Sequence, residues 1–439
     1  MKQKSLLQLC LPIAFETMFF MMAGMVDTLM LSSVGDAAVG AVGTVNTYIS
    51  MFIMMFQVVS AGMMAVMTQY IGAGRWGIAC QAKKMGALCG AVFGVSLSLV
   101  MCFFSEPLLG VMGVAPLLME HAKTYLQIVG SFCFLSALMP IYSSYLRAFG
   151  HTKHSMVATV TANIVNLVLN AVFLFVCKWG VAGVAIATVI SRVVNLVVVV
   201  MSARILVHEK DYPERISNKE VLTKIVKIGL PSAAESFFYH VSLTMTISFL
   251  NQMDPEGINI TARSYAAQIA NFSYCLGIAL ASANAIMTGW RIGAKQYDEC
   301  DRQTKKVAAV GVGIGAGIAA VLALSAPVLV GLFTDDPAMI SLVQKLLIID
   351  IVLECGRCTN LIFVQSLKTS GDALFTTIMA VIFTFICMAG GTWFFGIHMG
   401  MLAVGAYIAM ALDECVRGVC MFFRWQSGKW RGKSLVHNG

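Results

Sequence analysis

Three observations predict an all-α integral membrane protein, with about twelve transmembrane helices in two pseudo-symmetric six-helix bundles. The chain is 58% hydrophobic and 12% charged, whereas a soluble domain carries about 25% charged residues. Apolar stretches of about 20 residues or more recur along it, each able to cross a hydrocarbon core of about 30 Å. The third observation is an internal duplication at an offset near 220 residues. Backbone groups in lipid must bond within their own segment, so spans of this length are helices; barrel strands would alternate over about ten residues.

In order, the spans fall at 6–32, 38–70, 85–105, 122–147, 155–177, 182–207, 223–251, 263–290, 303–333, 338–368, 373–395 and 402–424. The first follows Met1-Lys2-Gln3-Lys4, as a signal peptide would. It is too long for one, contains Glu16 and Asp27, and is repeated at 223–251, so it reads as a membrane helix. Four markers carry the repeat in one order. Pro12-Ile13-Ala14-Phe15-Glu16 corresponds to Pro231-Ser232-Ala233-Ala234-Glu235, and Met67-Thr68 with Ile71-Gly72-Ala73 to Met287-Thr288 with Ile292-Gly293-Ala294. Leu146-Arg147 with Gly150 corresponds to Leu367-Lys368 with Gly371, and, with one gap, Trp179-Gly180 with Gly183 to Phe395-Gly396 with Gly400. Two related halves in an apolar chain are the pattern of a transporter.

Basic residues set the orientation. Lys2 and Lys4, Arg75 to Lys84, Arg147 and Lys153, Lys210 to Lys227, Arg291 to Lys306, Lys368, and Arg424 to Lys433 fall at alternate ends of the spans. The opposite connections hold only Lys123 and Lys178. The positive-inside rule therefore places both termini in the cytoplasm, with the chain in the cell's inner (cytoplasmic) membrane. The net charge of +8 is spread over seven segments instead of one face, which argues against nucleic acid as a partner. The polar stretch 208–219 reads as a cytoplasmic linker between an N-terminal lobe, 1–207, and a C-terminal lobe, 220–424, followed by a basic tail, 425–439. Most of the thirteen cysteines lie inside spans and read as small apolar residues. CxxC spacing at Cys355–Cys358 has no second pair and no nearby His, so no metal site is expected. Glycines 311, 313, 315 and 317 lack the flanking strand and Lys-Ser/Thr of a phosphate loop and read as close-packing residues. No nucleotide motif or Ser-His-Asp set is visible, so the chain is not expected to be an enzyme or to use a cofactor.

Acidic residues within spans carry the functional reading, because each costs roughly 2.5–3.5 kcal/mol on insertion scales. Glu16 and Asp27 share one face of the first span, about 16 Å apart along the axis. Glu235, Tyr239, Ser242 and Thr246 form the matching face of the seventh. Thr159, Asn163, Asn166 and Asn170 make a polar stripe on the fifth, and Gln268, Asn271 and Asn284 lie on the eighth. Amides and hydroxyls often only bond helix to helix. An unpaired carboxyl costs more than an amide, and no basic residue shares the interior of the helices holding Asp27 and Glu235. Both therefore read as proton or cation carriers. Glu354 with Arg357, and Asp413 and Glu414 with Arg417, can pair locally and read as structural; Glu354 remains a candidate for lining a cavity. Arg192 has no local partner.

Val26-Asp27-Thr28, Gly72-Ala73-Gly74 after Gln69, Tyr145-Leu146-Arg147-Ala148-Phe149-Gly150, Gly180-Val181-Ala182-Gly183 and Gly229-Leu230-Pro231 together resemble the multidrug and toxic compound extrusion (MATE) transporters along essentially the whole chain. The resemblance implies a V-shaped, two-bundle fold that exports amphipathic, often cationic compounds in exchange for Na⁺ or H⁺. It implies coupling-ion roles for Asp27 and Glu235. Where some members have an Asp four residues after an Asn, this chain has Asn166 and Asn170, which leaves Asp27 with neutral neighbours; hard cations favour carboxylate oxygens. The expected activity is alternating access between the lobes, driven by H⁺ or Na⁺ as the only accessory species, with organic cations as cargo, membrane lipids around it and a monomeric state. The alternative is a flippase for lipid-linked or polyanionic substrates, which would line its cavity with basic residues; the inward polar residues read as acidic or neutral apart from Arg192.

Overall fold

The computed structural model describes residues 4–111, 114, 116–254, 257–331 and 334–436. Lys2 and the last three residues of the basic tail lie outside them. Among the described residues the chain is helical throughout, with no strand. Helices run α1 (Leu6–Ser32), α2 (Asp36–Gly72), α3 (Trp76–Phe103), α4 (Ser105–Val111), α5 (Pro116–Ser131), α6 (Cys133–Ala148), α7 (Thr152–Ala171) and α8 (Gly180–Leu206). They continue as α9 (Asn218–Met253), α10 (Ile258–Gly293), α11 (Tyr297–Leu324), α12 (Ala326–Val330), α13 (Pro337–Ser370), α14 (Ala373–Phe383) and α15 (Leu402–Gln426). Among the described residues seven spans are long and apolar enough to cross a membrane, and α5 with α6, bent by 46° about Phe132, makes an eighth when taken as one span. Large apolar side chains stand open on their surfaces, such as Phe103 at 75% and Leu324 at 80% exposure, as a lipid-facing wall requires.

The chain divides into two compact units, Met1–Gly229 and Leu230–Gly439. In the first, Leu31, Val45, Ile49, Tyr125 and Val129 centre an apolar core; in the second, Leu250, Ile269, Leu346, Leu353 and Tyr407 do so. Segment 208–219 folds onto the first unit. Gln81 of α3 bonds both the Ile216 backbone and Asn218, Arg75 pairs with Glu214 at 2.6 Å, and Glu209 pairs with Lys83 and Lys84. Burial would raise the Glu209 carboxyl, but those two ammonium groups hold it below the usual carboxylate range. The basic tail is likewise tied down: Lys433 and Arg424 both pair with buried Asp372, and Trp430 stacks on Trp425 at 4.1 Å.

Duplication extends to local geometry. The chain winds into π-helix at Val172–Val176 and again over Thr384–Gly390 and Thr392–His398, late in the matching span of each half. Two of the repeat markers also meet. In the first unit Glu16 of α1 pairs with Arg147 of α6 at 2.8 Å. In the second, Glu235 of α9 pairs with Lys368 of α13 at 3.0 Å. Each unit thus pins its proline-containing first helix by an ion pair to the helix carrying its third marker. Pro12 cannot donate to the carbonyl one turn back, at Gln8, and the Thr152 hydroxyl bonds that oxygen at 3.3 Å.

Packing in the second unit depends on missing side chains. A Cβ on Gly356 of α13 would stand 2.6 Å from the Cys415 backbone nitrogen of α15. Gly311 and Gly315, one turn apart on α11, face Ile362 and Cys358 of α13; Gly313 and Gly317 have open space instead. Close packing therefore uses two of the four glycines in that run.

Two stability outcomes follow from this packing. Gly356→Ala is expected to cost about 1–3 kcal/mol by overpacking, while Gly313→Ala leaves thermal unfolding of the purified protein unchanged; equal melting of the two variants refutes the close-contact account. Glu16→Gln strands the Arg147 charge and is expected to cost about 3–5 kcal/mol, most of it recovered in Glu16→Gln/Arg147→Gln. Thermal melting of the single and double variants in detergent measures that recovery.

Candidate functional site

Two polar sites stand out, one inside each unit. In the first unit α1 and α7 lie side by side, and the polar stripe of α7 bonds α1 along its length. Ser155 and Thr159 donate to Glu16 at 3.1 and 3.0 Å, and Asn163 donates to the Phe19 carbonyl at 3.4 Å. Asn170 Nδ2 donates to Asp27 Oδ1 at 2.8 Å. With its amide turned so that nitrogen faces the carboxylate, Asn166 donates to the same oxygen at 2.7 Å and to Oδ2 at 3.2 Å. Glu16 is buried and saturated by Arg147 and two hydroxyls. Asp27, half-buried, has amide donors only, and no ion pair reaches it among the described residues. Asn170 Oδ1 is buried without a partner. Arg192 of α8 meets no carboxylate at ion-pair distance among the described residues, and its Nη1 is buried and unpartnered.

The second unit has an open cavity of about 530 Å³ lined by α9, α10, α13, α15 and the end of α14. Of the residues expected to matter, Glu235, Tyr239 and Asn271 line it. Gln268 is exposed and does not; Glu354 is fully buried against Arg357, off the cavity wall. Asn284 lies deep among helices, bonded to Thr304, Ser366 and Gln303, and acts as an interhelical tie. His240 bonds the Ser236 carbonyl of its own helix at 2.8 Å.

Basic residues in the wall correct the expectation of an acidic or neutral interior: Arg263, Arg357, Lys368 and Arg417 all line the cavity. Three are neutralised. Lys368 pairs with Glu235, Arg357 with Glu354, and Arg417 with Asp413 at 2.6 Å and Glu414 at 3.0 Å. A guanidinium carries five N–H donors, so a local pair does not exhaust it. Arg357 also covers the Tyr274 ring at 5.1 Å and Arg417 the Tyr239 ring at 6.0 Å. Sequence reasoning set these arginines aside as self-contained pairs and passed over Arg263. Its signal was there: a lone Arg at the head of α10, beside the Gln252–Ile260 connection, which carries no Lys or Arg and so needs no topological charge.

The MatE family model matches residues 12–172 and 231–394, so its two segments begin at the repeated prolines, Pro12 and Pro231. The chain is 33% identical over 441 residues to the uncharacterized transporter YisQ of Bacillus subtilis, covering 99% of this chain and 96% of the relative. It is 23% identical to a probable multidrug resistance protein NorM of Thermotoga maritima, over 99% of this chain and 94% of that one. Among solved structures, an outward-facing multidrug resistance MATE family transporter of the MOP superfamily superposes with a TM-score of 0.89 at 18% identity, covering 97% of this chain and 96% of its own. A MATE protein in a bent conformation gives 0.86 at 20% identity with the same coverage. Matched in both halves by the family model and along almost its whole length by a relative at 33% identity, the chain belongs to the MatE family of membrane transporters.

Proposed function

We propose that the protein exports amphipathic compounds bearing a cationic centre, in exchange for protons taken up at Asp27, by alternating access. One observation carries this reading. Glu16, Glu235 and Glu354 each hold a basic partner, whereas Asp27 makes no ion pair among the described residues and is met by neutral donors. A carboxylate held in low dielectric by neutral donors gains from neutralisation by a proton or a cation. Among the described residues only the amides of Asn166 and Asn170 stand beside Asp27, with the Asn170 nitrogen donating to it and no second carboxylate near. A lone carboxylate suits a proton better than Na⁺, since hard cations favour several carboxylate oxygens. Glu235, with Oε2 unpartnered in the cavity wall, is a second candidate whose charge is committed to Lys368 in this state.

The family's multidrug members, such as the Thermotoga maritima relative named above, support export of varied organic compounds. The basic distribution along the sequence supports an inner-membrane location with cytoplasmic termini. A second reading, a flippase for lipid-linked or polyanionic substrates, is favoured by the four basic residues in the cavity wall. It ranks lower because acids of the same unit neutralise three of them.

Efflux of ethidium from cells expressing the chain tests the proposal. Asp27→Asn is expected to reduce efflux to the level of cells lacking the protein, and wild-type efflux is expected to be the same in Na⁺-free buffer but collapsed by a protonophore. Strict Na⁺ dependence would move the coupling ion from proton to sodium. A well-expressed wild type that moves no cation would overturn the export reading and bring the flippase forward.

A further inference from the structure

Two stretches outside the spans, the polar segment 208–219 and the tail 427–436, share a construction that their sequences do not display. After α8 the chain makes a turn of 3₁₀ helix at Glu209–Asp211, and after α15 it makes another at Lys429–Lys433, starting 220 residues later (429 − 209). That is the offset of the internal repeat. Each stretch then lies on the matching helix ends of its own unit. The ring of Tyr212 packs 5.0 Å from that of Trp76, the first residue of α3, and Trp430 packs 6.0 Å from Tyr297, the first residue of α11. Glu209 accepts from the Tyr145 hydroxyl of α6 at 3.3 Å, and Lys433 pairs at 2.7 Å with Asp372, just past the end of α13. In both units a glycine makes room for the strap. A Cβ on Gly77 would strike the Glu214 carbonyl, and one on Gly371 would strike that of Lys433.

Polarity separates the two straps. In the first unit the strap brings the acids, Glu209 and Glu214, to Lys83 and Lys84 of α3 and to Arg75 just before it. In the second the strap brings the bases, Arg431 and Lys433, to Asp298 of α11 and to Asp372. Membrane topology is set by Lys and Arg and is nearly indifferent to Asp and Glu, so these four acids have another reason to be there. Exchanging the straps would set acids against acids and bases against bases, which rejects the wrong docking. Segment 208–219 is not built as a tether either. The buried side-chain amide of Gln81 donates to the Ile216 carbonyl at 2.7 Å and accepts from the Ile216 N–H at 3.1 Å, as a neighbouring peptide group in a sheet would. We propose that 208–219 and 427–436 are one repeated device, a clasp that binds the ends of α3, α6 and α8, or of α11, α13 and α15, into a block that stays closed through the transport cycle. Its staying closed during transport rests on the transport reading; the clasp itself does not, so the two can fail separately.

Hydrogen exchange of the full chain in detergent and in proteoliposomes, read by mass spectrometry, provides the test. Backbone amides of both straps in the wild type are expected to exchange about a hundredfold more slowly than a coil, at rest and during ethidium transport alike. Gln81→Ala is expected to speed exchange in 208–219 by about tenfold and to leave the tail protected, and Asp372→Asn to do the opposite. Gly77→Ala removes no bond and only fills the space beneath Glu214; it and Lys433→Gln repeat the two results should the first variants not fold. Coil-like exchange of either strap in the wild type, release of both straps by one substitution, or loss of protection during transport overturns the proposal. Protected straps in a protein that moves no ethidium would uphold the clasp and sink the transport reading; ethidium transport with coil-like exchange would do the reverse.

Discussion

A charge in hydrocarbon has to be neutralised within the protein, and this constraint organises both units. Removing one partner of a buried pair costs several kcal/mol, far more than the pair itself returns, so the helices that carry the partners cannot drift apart. Glu16 with Arg147 ties α1 to α6, and Glu235 with Lys368 ties α9 to α13. Asp372 holds Arg424 and Lys433 where the tail turns back on the second unit. Against that background a membrane charge without an opposite charge is informative. Asp27 is such a charge, and the functional reading rests on it; Arg192, Arg263 and Asp350 likewise make no ion pair among the described residues.

Much of the fold was legible because the constraint uses few residue types. The repeat markers are the proline, the glutamate and the basic residue that the duplicated ion pair requires, so reading the duplication amounted to reading the pair, although nothing in the spacing said that the two markers touch. Hydropathy found the spans because lipid imposes it on every segment alike. Breaks within spans stayed invisible. The bend between α5 and α6 falls at Phe132, two residues after Gly130 and eight before Pro140, and a single glycine in an apolar run does not by itself announce a break. The π-helical stretches have no sequence period to betray them. In the site, the α7 stripe was legible as polar and inward, but which amide met which acid depended on the register of two helices. The cavity arginines were misjudged for a different reason: i, i+3 and i, i+4 spacing reveals a pair but not the donors left over.

The contrast within α1 shows how one helix can hold a structural acid and an available one. Glu16 and Asp27 lie on the same face against the same neighbour, α7, and both accept bonds from it. The difference is Arg147, which reaches Glu16 from α6 and has no counterpart at Asp27. Hydrogen bonds to a charged group return about 1.5–3 kcal/mol each, and two amides at Asp27 thus give back a sum comparable to the roughly 2.5–3.5 kcal/mol that a central acid costs on insertion scales. The ionised state is tolerated without being locked. A carrier site needs that balance, since a carboxylate bound to a guanidinium would exclude the coupling ion, and one with no donors would never release it. With amides at both 166 and 170, Asp27 is a lone carboxylate beside neutral groups on a neighbouring helix, the arrangement that the proposed exchange of a single proton requires.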